Sequence, residues 1–220
     1  MTIDTLDVPK AHKIPKTEIK IEPVYSKEFV NIYDMPASVL NCKKVIESAE
    51  AEKENHWKDS TVVGFDNTTI KNPKTRESQQ QDFSSIDSPK VHHPLLRYSS
   101  KCLENYLEMF PQANNFSSFA VIEAYNIIRY KENEAYHALH CDFNSNFNSE
   151  LSRRHLTGVC FLNDVEEGGE LMFPQQDLEI KPEAGLFVMF PSGWTHSHKT
   201  LPPVGQSRYV FQLWWSFSGK

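Results

Sequence analysis

The stretch Tyr130-Lys-Glu-Asn-Glu-Ala-Tyr136-His-Ala-Leu-His140-Cys-Asp142 sets an imidazole and a carboxylate two residues apart. On a β-strand that spacing puts both side chains on one face, where they can grip a single cation. Two donors do not close a site. A third is offered near the C-terminus by Trp194-Thr-His196-Ser-His198-Lys, where period two puts both histidines on a common face, and Arg208 follows on the next apolar run. Two imidazoles and one carboxylate with open positions suit a non-haem ferrous ion, and they also suit catalytic zinc. A zinc hydrolase would need a general base besides, and no buried arginine. A metal-binding β domain without turnover is a third reading of the same donors.

These residues need a scaffold, and 220 residues allow one domain with a substantial core. Residues 1–24, with four lysines, three prolines and little apolar period, read as an N-terminal arm. From Met35 to about Lys53 the residues Val39, Leu40, Val45 and Ile46 fall near helical spacing, which predicts an amphipathic helix. The next forty residues include the polar run Lys71-Asn-Pro-Lys-Thr-Arg-Glu-Ser-Gln-Gln-Gln-Asp and read as a long surface loop. A second helix fits Pro94 to Met109, and the pair His92-His93 at its start reads as surface histidines. From Phe116 onward short aromatic and β-branched runs alternate with turn signals: 119–130, 156–162, 170–173, 185–190 and 208–217. The expected fold is α+β, mainly β: a double-sheet jelly roll, or double-stranded β-helix, over 116–220, braced by helices and a long loop within 25–115 as one structural domain.

A net charge of −6 argues against a nucleic-acid partner. No run approaches the roughly 20 apolar residues that span a bilayer, so no membrane partner is expected. The start lacks the basic flank and apolar stretch of a secretory leader, so the expected location is cytoplasmic. The four cysteines, at 42, 102, 141 and 160, are far apart, with no CxxC, and read as reduced thiols rather than a disulfide framework.

The order Tyr130, Tyr136, His140-x-Asp142, Arg154-x-x-Thr157, Phe161-Leu-Asn-Asp-Val-Glu-Glu-Gly-Gly-Glu170, Phe190-Pro-Ser, His198, Arg208-Tyr and Trp214 resembles the Fe(II)/2-oxoglutarate-dependent oxygenases of the prolyl 4-hydroxylase group over about half the chain. The resemblance implies His140, Asp142 and His198 as the iron ligands, with His198 chosen because it precedes Arg208 by ten residues, as the distal histidine of that family precedes its basic residue. It implies Arg208 as a guanidinium fork for the far carboxylate of 2-oxoglutarate, with Tyr130, Thr157 and Trp214 beside the cosubstrate. Tyr136, Arg154 and Trp194 are implied on the substrate side, and His196 either behind the ligands or facing substrate, with His196 in place of His198 as the alternative ligand.

The chain carries one residue more between Tyr136 and His140 than the family's commonest pattern. The implied activity is hydroxylation of a C–H bond, most simply on a peptidyl proline, with succinate and CO2 released and Fe(II), O2 and 2-oxoglutarate required; ascorbate would serve as reductant. A non-prolyl or small-molecule substrate is the alternative. A peptide or protein substrate and a monomer or weak homodimer complete the expectation.

Overall fold

The computed structural model describes residues 21–51, 57–63, 68–144 and 150–218. The arm expected over 1–24 lies outside them up to residue 20, as do the last two residues of the helix expected to reach 53. In chain order the strands are β1 (Tyr25–Lys27), β2 (Val30–Asp34), β3 (Lys58–Asp59), β4 (Val62–Val63), β5 (Thr69–Ile70), β6 (Gln79–Phe83), β7 (Phe119–Ala120), β8 (Tyr125–Tyr130), β9 (Arg154–Phe161), β10 (Leu171–Phe173), β11 (Leu178–Ile180), β12 (Leu186–Pro191), β13 (Lys199–Thr200) and β14 (Arg208–Phe217). Two helices, α1 (Cys42–Ala51) and α2 (His93–Met109), precede β7.

The large sheet runs β1-β2-β12-β9-β14-β8-β6-β3, with β7 on the end of β14; a smaller one runs β11-β10-β13. All the pairings in both sheets are antiparallel. The two sheets face each other as a double-stranded β-helix. Alternation along β14 decides what each face does. Phe211, Leu213 and Trp215 point outward, where they join Tyr125, Ile127, Leu156 and Cys160 under Val45, Leu95, Tyr98 and Cys102 of the helices. Val210 points inward, with Ile128, Val159 and Phe161 against Leu171, Phe173, Val188 and Phe190. The helices therefore cover one face, while the other closes over the interior of the roll.

Two tight places depend on glycine. In β9 a Cβ on Gly158 would stand 2.6 Å from the Phe187 ring and 3.0 Å from that of Trp215, so no larger residue fits between the sheet and its outer aromatic layer. At the turn before β10, Gly168 and Gly169 have φ of 73° and 78°, a left-handed pair that side chains rarely adopt.

The fold departs from the sequence reading in two stretches. Gln79–Phe83, expected within a surface loop, is a strand paired with β8. Its glutamines hid it: buried Gln81 donates to the Ala49 carbonyl at 2.9 Å and Gln79 accepts from Arg129 at 2.5 Å, so amide hydrogen bonds replace the apolar period that normally betrays a strand. His92, expected at the surface, is buried, because the 3-10 turn Lys90–His92 rotates it inward to meet the Tyr125 hydroxyl through Nδ1 at 2.8 Å. Burial pushes its pKa down to about 4.

Candidate metal centre

His140 and Asp142 do not lie on a strand. They sit in the irregular run after β8, and His140 joins the rest of the fold by one antiparallel bridge, His140 to His198, with backbone bonds of 3.0 and 2.7 Å. That bridge carries the geometry the spacing was expected to supply. One ligand atom from each of His140, Asp142 and His198 lies within 4.8 Å of the other two, and they form the only such cluster of three or more His, Cys, Asp or Glu among the described residues.

The supports around these three fix their chemistry. His140 Nδ1 faces the Ala138 carbonyl at 3.1 Å and His198 Nδ1 faces the His196 carbonyl at 3.0 Å. A carbonyl can only accept, so each Nδ1 carries the proton and each Nε2 is left with a lone pair for a cation. The Thr157 hydroxyl donates to Asp142 Oδ2 at 2.8 Å and in turn meets Ser192 Oγ at 2.8 Å. Burial pushes the Asp142 carboxyl up, but His198, His140, Arg154 and the Thr157 bond outweigh it, and the net shift is downward. Burial and the neighbouring His198 hold His140 far below an ordinary histidine, at about 3. An ionised carboxylate between two imidazoles whose Nδ1 atoms are already taken by carbonyls is a ligand set ready for a divalent ion.

The cluster opens on a cavity of about 1290 Å³ whose lining includes Tyr130, Tyr136, Arg154, Arg208, Gln212 and Trp214. Arg208 is buried at 1% exposure. Its Nη1 donates to the Gly169 carbonyl, the turn described above, and its guanidinium lies 4.1 Å from the centre of the Tyr130 ring, the residue opposite it in the sheet. Nε and Nη2 have no hydrogen-bond partner among the described residues. Burial lowers its pKa from the usual arginine value, yet the group stays cationic. A buried cation with two idle donors is costly unless an anion meets it; a carboxylate matches that fork. The donor set therefore fits both a ferrous ion and a dicarboxylate cosubstrate.

Other expected residues are placed differently. Thr157, expected beside the cosubstrate, is fully buried behind Asp142 and acts on that carboxylate instead. His196, expected behind the ligands or facing substrate, stands behind them: its carbonyl meets His198 Nδ1, while its ring points away from the cavity. The 3-10 turn Trp194–His196 breaks the period of two and sends its Nε2 to the Glu28 carbonyl at 2.8 Å. The same turn carries Trp194 outward to 76% exposure, away from the cavity lining. Arg154 does line the cavity, stacked 3.5 Å over the Trp214 ring and clamped by Glu123, with Nη2 to Oε2 at 2.6 Å and Nε to Oε2 at 2.9 Å. Tyr136 lies flat on His140, and burial raises its hydroxyl to about 12. Sequence reasoning missed Glu123 and Ser192: no spacing ties Glu123 to Arg154, and Ser192 showed only as part of Phe190-Pro-Ser.

Comparison with known proteins agrees with this geometry. Residues 125–216 match the 2OG-Fe(II) oxygenase superfamily. Prolyl 4-hydroxylase 13 of Arabidopsis thaliana is 30% identical over 115 residues, 42% of either chain, and probable prolyl 4-hydroxylase 9 of the same plant is 29% identical over 115 residues, 42% of this chain and 40% of the relative. The match thus spans less than half the length of these curated relatives. Among solved structures, a viral collagen prolyl hydroxylase from Paramecium Bursaria Chlorella virus-1 in its 2OG complex superposes with a TM-score of 0.62 at 20% identity, over 86% of this chain and 96% of that one. A Pseudomonas putida prolyl-4-hydroxylase gives 0.63 at 18%, over 87% and 94%. A Trichoplax adhaerens prolyl hydroxylase in complex with a hypoxia inducible factor peptide fragment gives 0.64 at 16%, over 86% and 84%. At these identities the structural likeness is one of fold, the double-stranded β-helix. Residues 125–216 are thus similar to the 2OG-Fe(II) oxygenases, prolyl 4-hydroxylases among them.

Proposed function

We propose that this chain is a Fe(II)- and 2-oxoglutarate-dependent dioxygenase that hydroxylates a C–H bond, on a peptidyl proline. One observation carries the reading: three ligating side chains converge at the wall of a cavity that also holds a buried, half-partnered arginine. His140, Asp142 and His198 would hold the iron, and Arg208 over Tyr130 would hold the far carboxylate of 2-oxoglutarate. When bound, iron, 2-oxoglutarate and O2 together supply the oxidising power, releasing succinate and CO2 and leaving one oxygen atom on the substrate.

The protein's own part is positioning. The Ala138 and His196 carbonyls keep both imidazoles in the metal-binding tautomer, and Thr157 keeps one Asp142 oxygen occupied and the carboxylate oriented. Ile128, Val159, Phe161 and Val210 give the cavity an apolar wall beside the cluster and the arginine. Arg208 also argues against a zinc hydrolase, whose chemistry leaves a buried guanidinium without a purpose. A peptide substrate is supported by the Trichoplax relative, solved with one. Ascorbate would keep the iron reduced between turnovers.

The test is succinate formation by the full chain supplied with Fe(II), 2-oxoglutarate and a panel of proline-containing peptides, with mass spectrometry of the peptide. A gain of one oxygen on proline that requires both additives is expected. His198→Ala should abolish succinate release while His196→Ala retains a measurable fraction. Well-folded protein that neither binds Fe(II) nor consumes 2-oxoglutarate would overturn the reading.

A further inference from the structure

Between Tyr136 and His140 the backbone ladder is mismatched. The Tyr136 N–H donates to Thr200 Oγ1 at 2.9 Å and the Thr200 N–H to the Tyr136 carbonyl at 3.0 Å, while His140 and His198 exchange both of their backbone bonds. Two pairs are thereby fixed, 136 with 200 and 140 with 198. Residues 137–139 lie between them on one side and Lys199 alone on the other. The surplus has to leave the ladder, and His137 and Leu139 are exposed. With that arch displaced, the Tyr136 and His140 rings meet face to face, centroids 3.4 Å apart and planes 9° from parallel.

The column has a third layer. The Arg76 guanidinium stands 5.3 Å from the centre of the Tyr136 ring, and a backbone bridge ties residue 76 to residue 136. Neutral partners hold Arg76 in place: Nε donates to Ser78 Oγ at 3.0 Å and Nη2 to Gln80 Oε1 at 3.3 Å. His140 needs such backing more than His198 does. Its Nδ1 partner, the Ala138 carbonyl, belongs to the displaced arch, which the Thr75 carbonyl holds through the Ala138 N–H at 3.1 Å; a single hydrogen bond at Nδ1 still lets the imidazole tilt about that bond. A flat aromatic ring against its face removes that freedom.

We propose that Tyr136 and Arg76 are positioning residues for the metal centre, a stacked column Arg76, Tyr136, His140 that fixes the plane of the His140 imidazole and so the direction of its Nε2. The inference rests on the metal-binding reading of the same site. It gives the additional residue between Tyr136 and His140 a purpose, since the arch is what lets the two rings meet.

The experiment is calorimetric titration of Mn(II) into the full chain, with the visible spectrum of the Co(II)-loaded protein as a second readout. Tyr136→Phe keeps the ring and should bind Mn(II) within about twofold of wild type. Tyr136→Leu should weaken binding about three- to tenfold, on the order expected for the loss of one aromatic pair, and change the Co(II) band. Arg76→Gln should fall between. Unchanged Mn(II) affinity in Tyr136→Leu, or equal loss in Tyr136→Leu and Tyr136→Phe, overturns the column. If Tyr136→Leu fails to fold, Arg76→Gln decides, and wild-type affinity there overturns it. A wild-type chain that binds no divalent ion would instead remove the oxygenase reading beneath it.

Discussion

The two faces of β14 are built on opposite principles. Outward, Phe211, Leu213 and Trp215 belong to a continuous apolar layer in which each side chain has many neighbours of the same kind. Inward, Arg208, Gln212 and Trp214 face a cavity, and Arg208 and Trp214 keep buried N–H groups without partners among the described residues. The outer face gives the sheet its stability. The inner one carries polar groups that the described residues leave without partners, and the contrast says that stability and chemistry can be altered separately although ten consecutive residues serve both.

That separation can be broken or sharpened in order of effect. Asp142→Ala should abolish divalent-metal binding in a titration while changing the urea unfolding free energy of the metal-free chain by about 1 kcal/mol or less, the size of one hydrogen bond. Phe211→Ala, one residue from a cavity-facing position, should do the reverse: about 3–5 kcal/mol of stability lost to a core cavity, with Mn(II) affinity of the folded fraction retained. Should Phe211→Ala also lose the metal, the two faces are coupled. Arg208→Ala should weaken 2-oxoglutarate binding to the Mn(II) protein about 10- to 100-fold, as for loss of a charged fork, and leave Mn(II) affinity intact. The metal-free form should be no less stable, since a buried cation with two idle donors is gone.

The smallest effect concerns pH and lies on the outer side. Folding holds His92 at about 4, below the ordinary value near 6.5 in the unfolded chain. Above pH 6.5 neither state binds the proton and the contribution is complete. As pH falls from 6.5 towards 4 the unfolded chain takes up a proton that the folded chain refuses, and stability declines. The decline should be about 1–3 kcal/mol between pH 7.5 and 4.5 in urea titrations. His140, also held low, acts in the same direction, so the His92 share is the part of the slope removed by His92→Gln.

What the sequence made legible followed period two. The alternation of β14 placed Arg208 and Trp214 on one face and the core residues on the other, and the run of aromatic strands after residue 116 implied the roll. Legibility failed where side-chain hydrogen bonds or tight turns replaced period. Polar Gln79–Phe83 carries no apolar signal yet enters the sheet through amides. His196 and His198 look equivalent by alternation, and only the 3-10 turn at Trp194–His196 separates them. Thr157 belongs to the site as expected but serves Asp142, because the loop that brings the carboxylate to β9 has no period from which its path could be read.

The Gly168-Gly169 turn has one more consequence. It anchors Arg208 through a backbone carbonyl, and the positive charge is offset only in part, by Tyr130 and the Glu170 carboxylate. The pocket floor is thus a fixed electropositive post in a chain whose overall charge is −6, and the ligand cluster stands at a set remove from it. On the proposed reading, such an arrangement would work as a gauge, sorting small dianions by whether their length spans the gap.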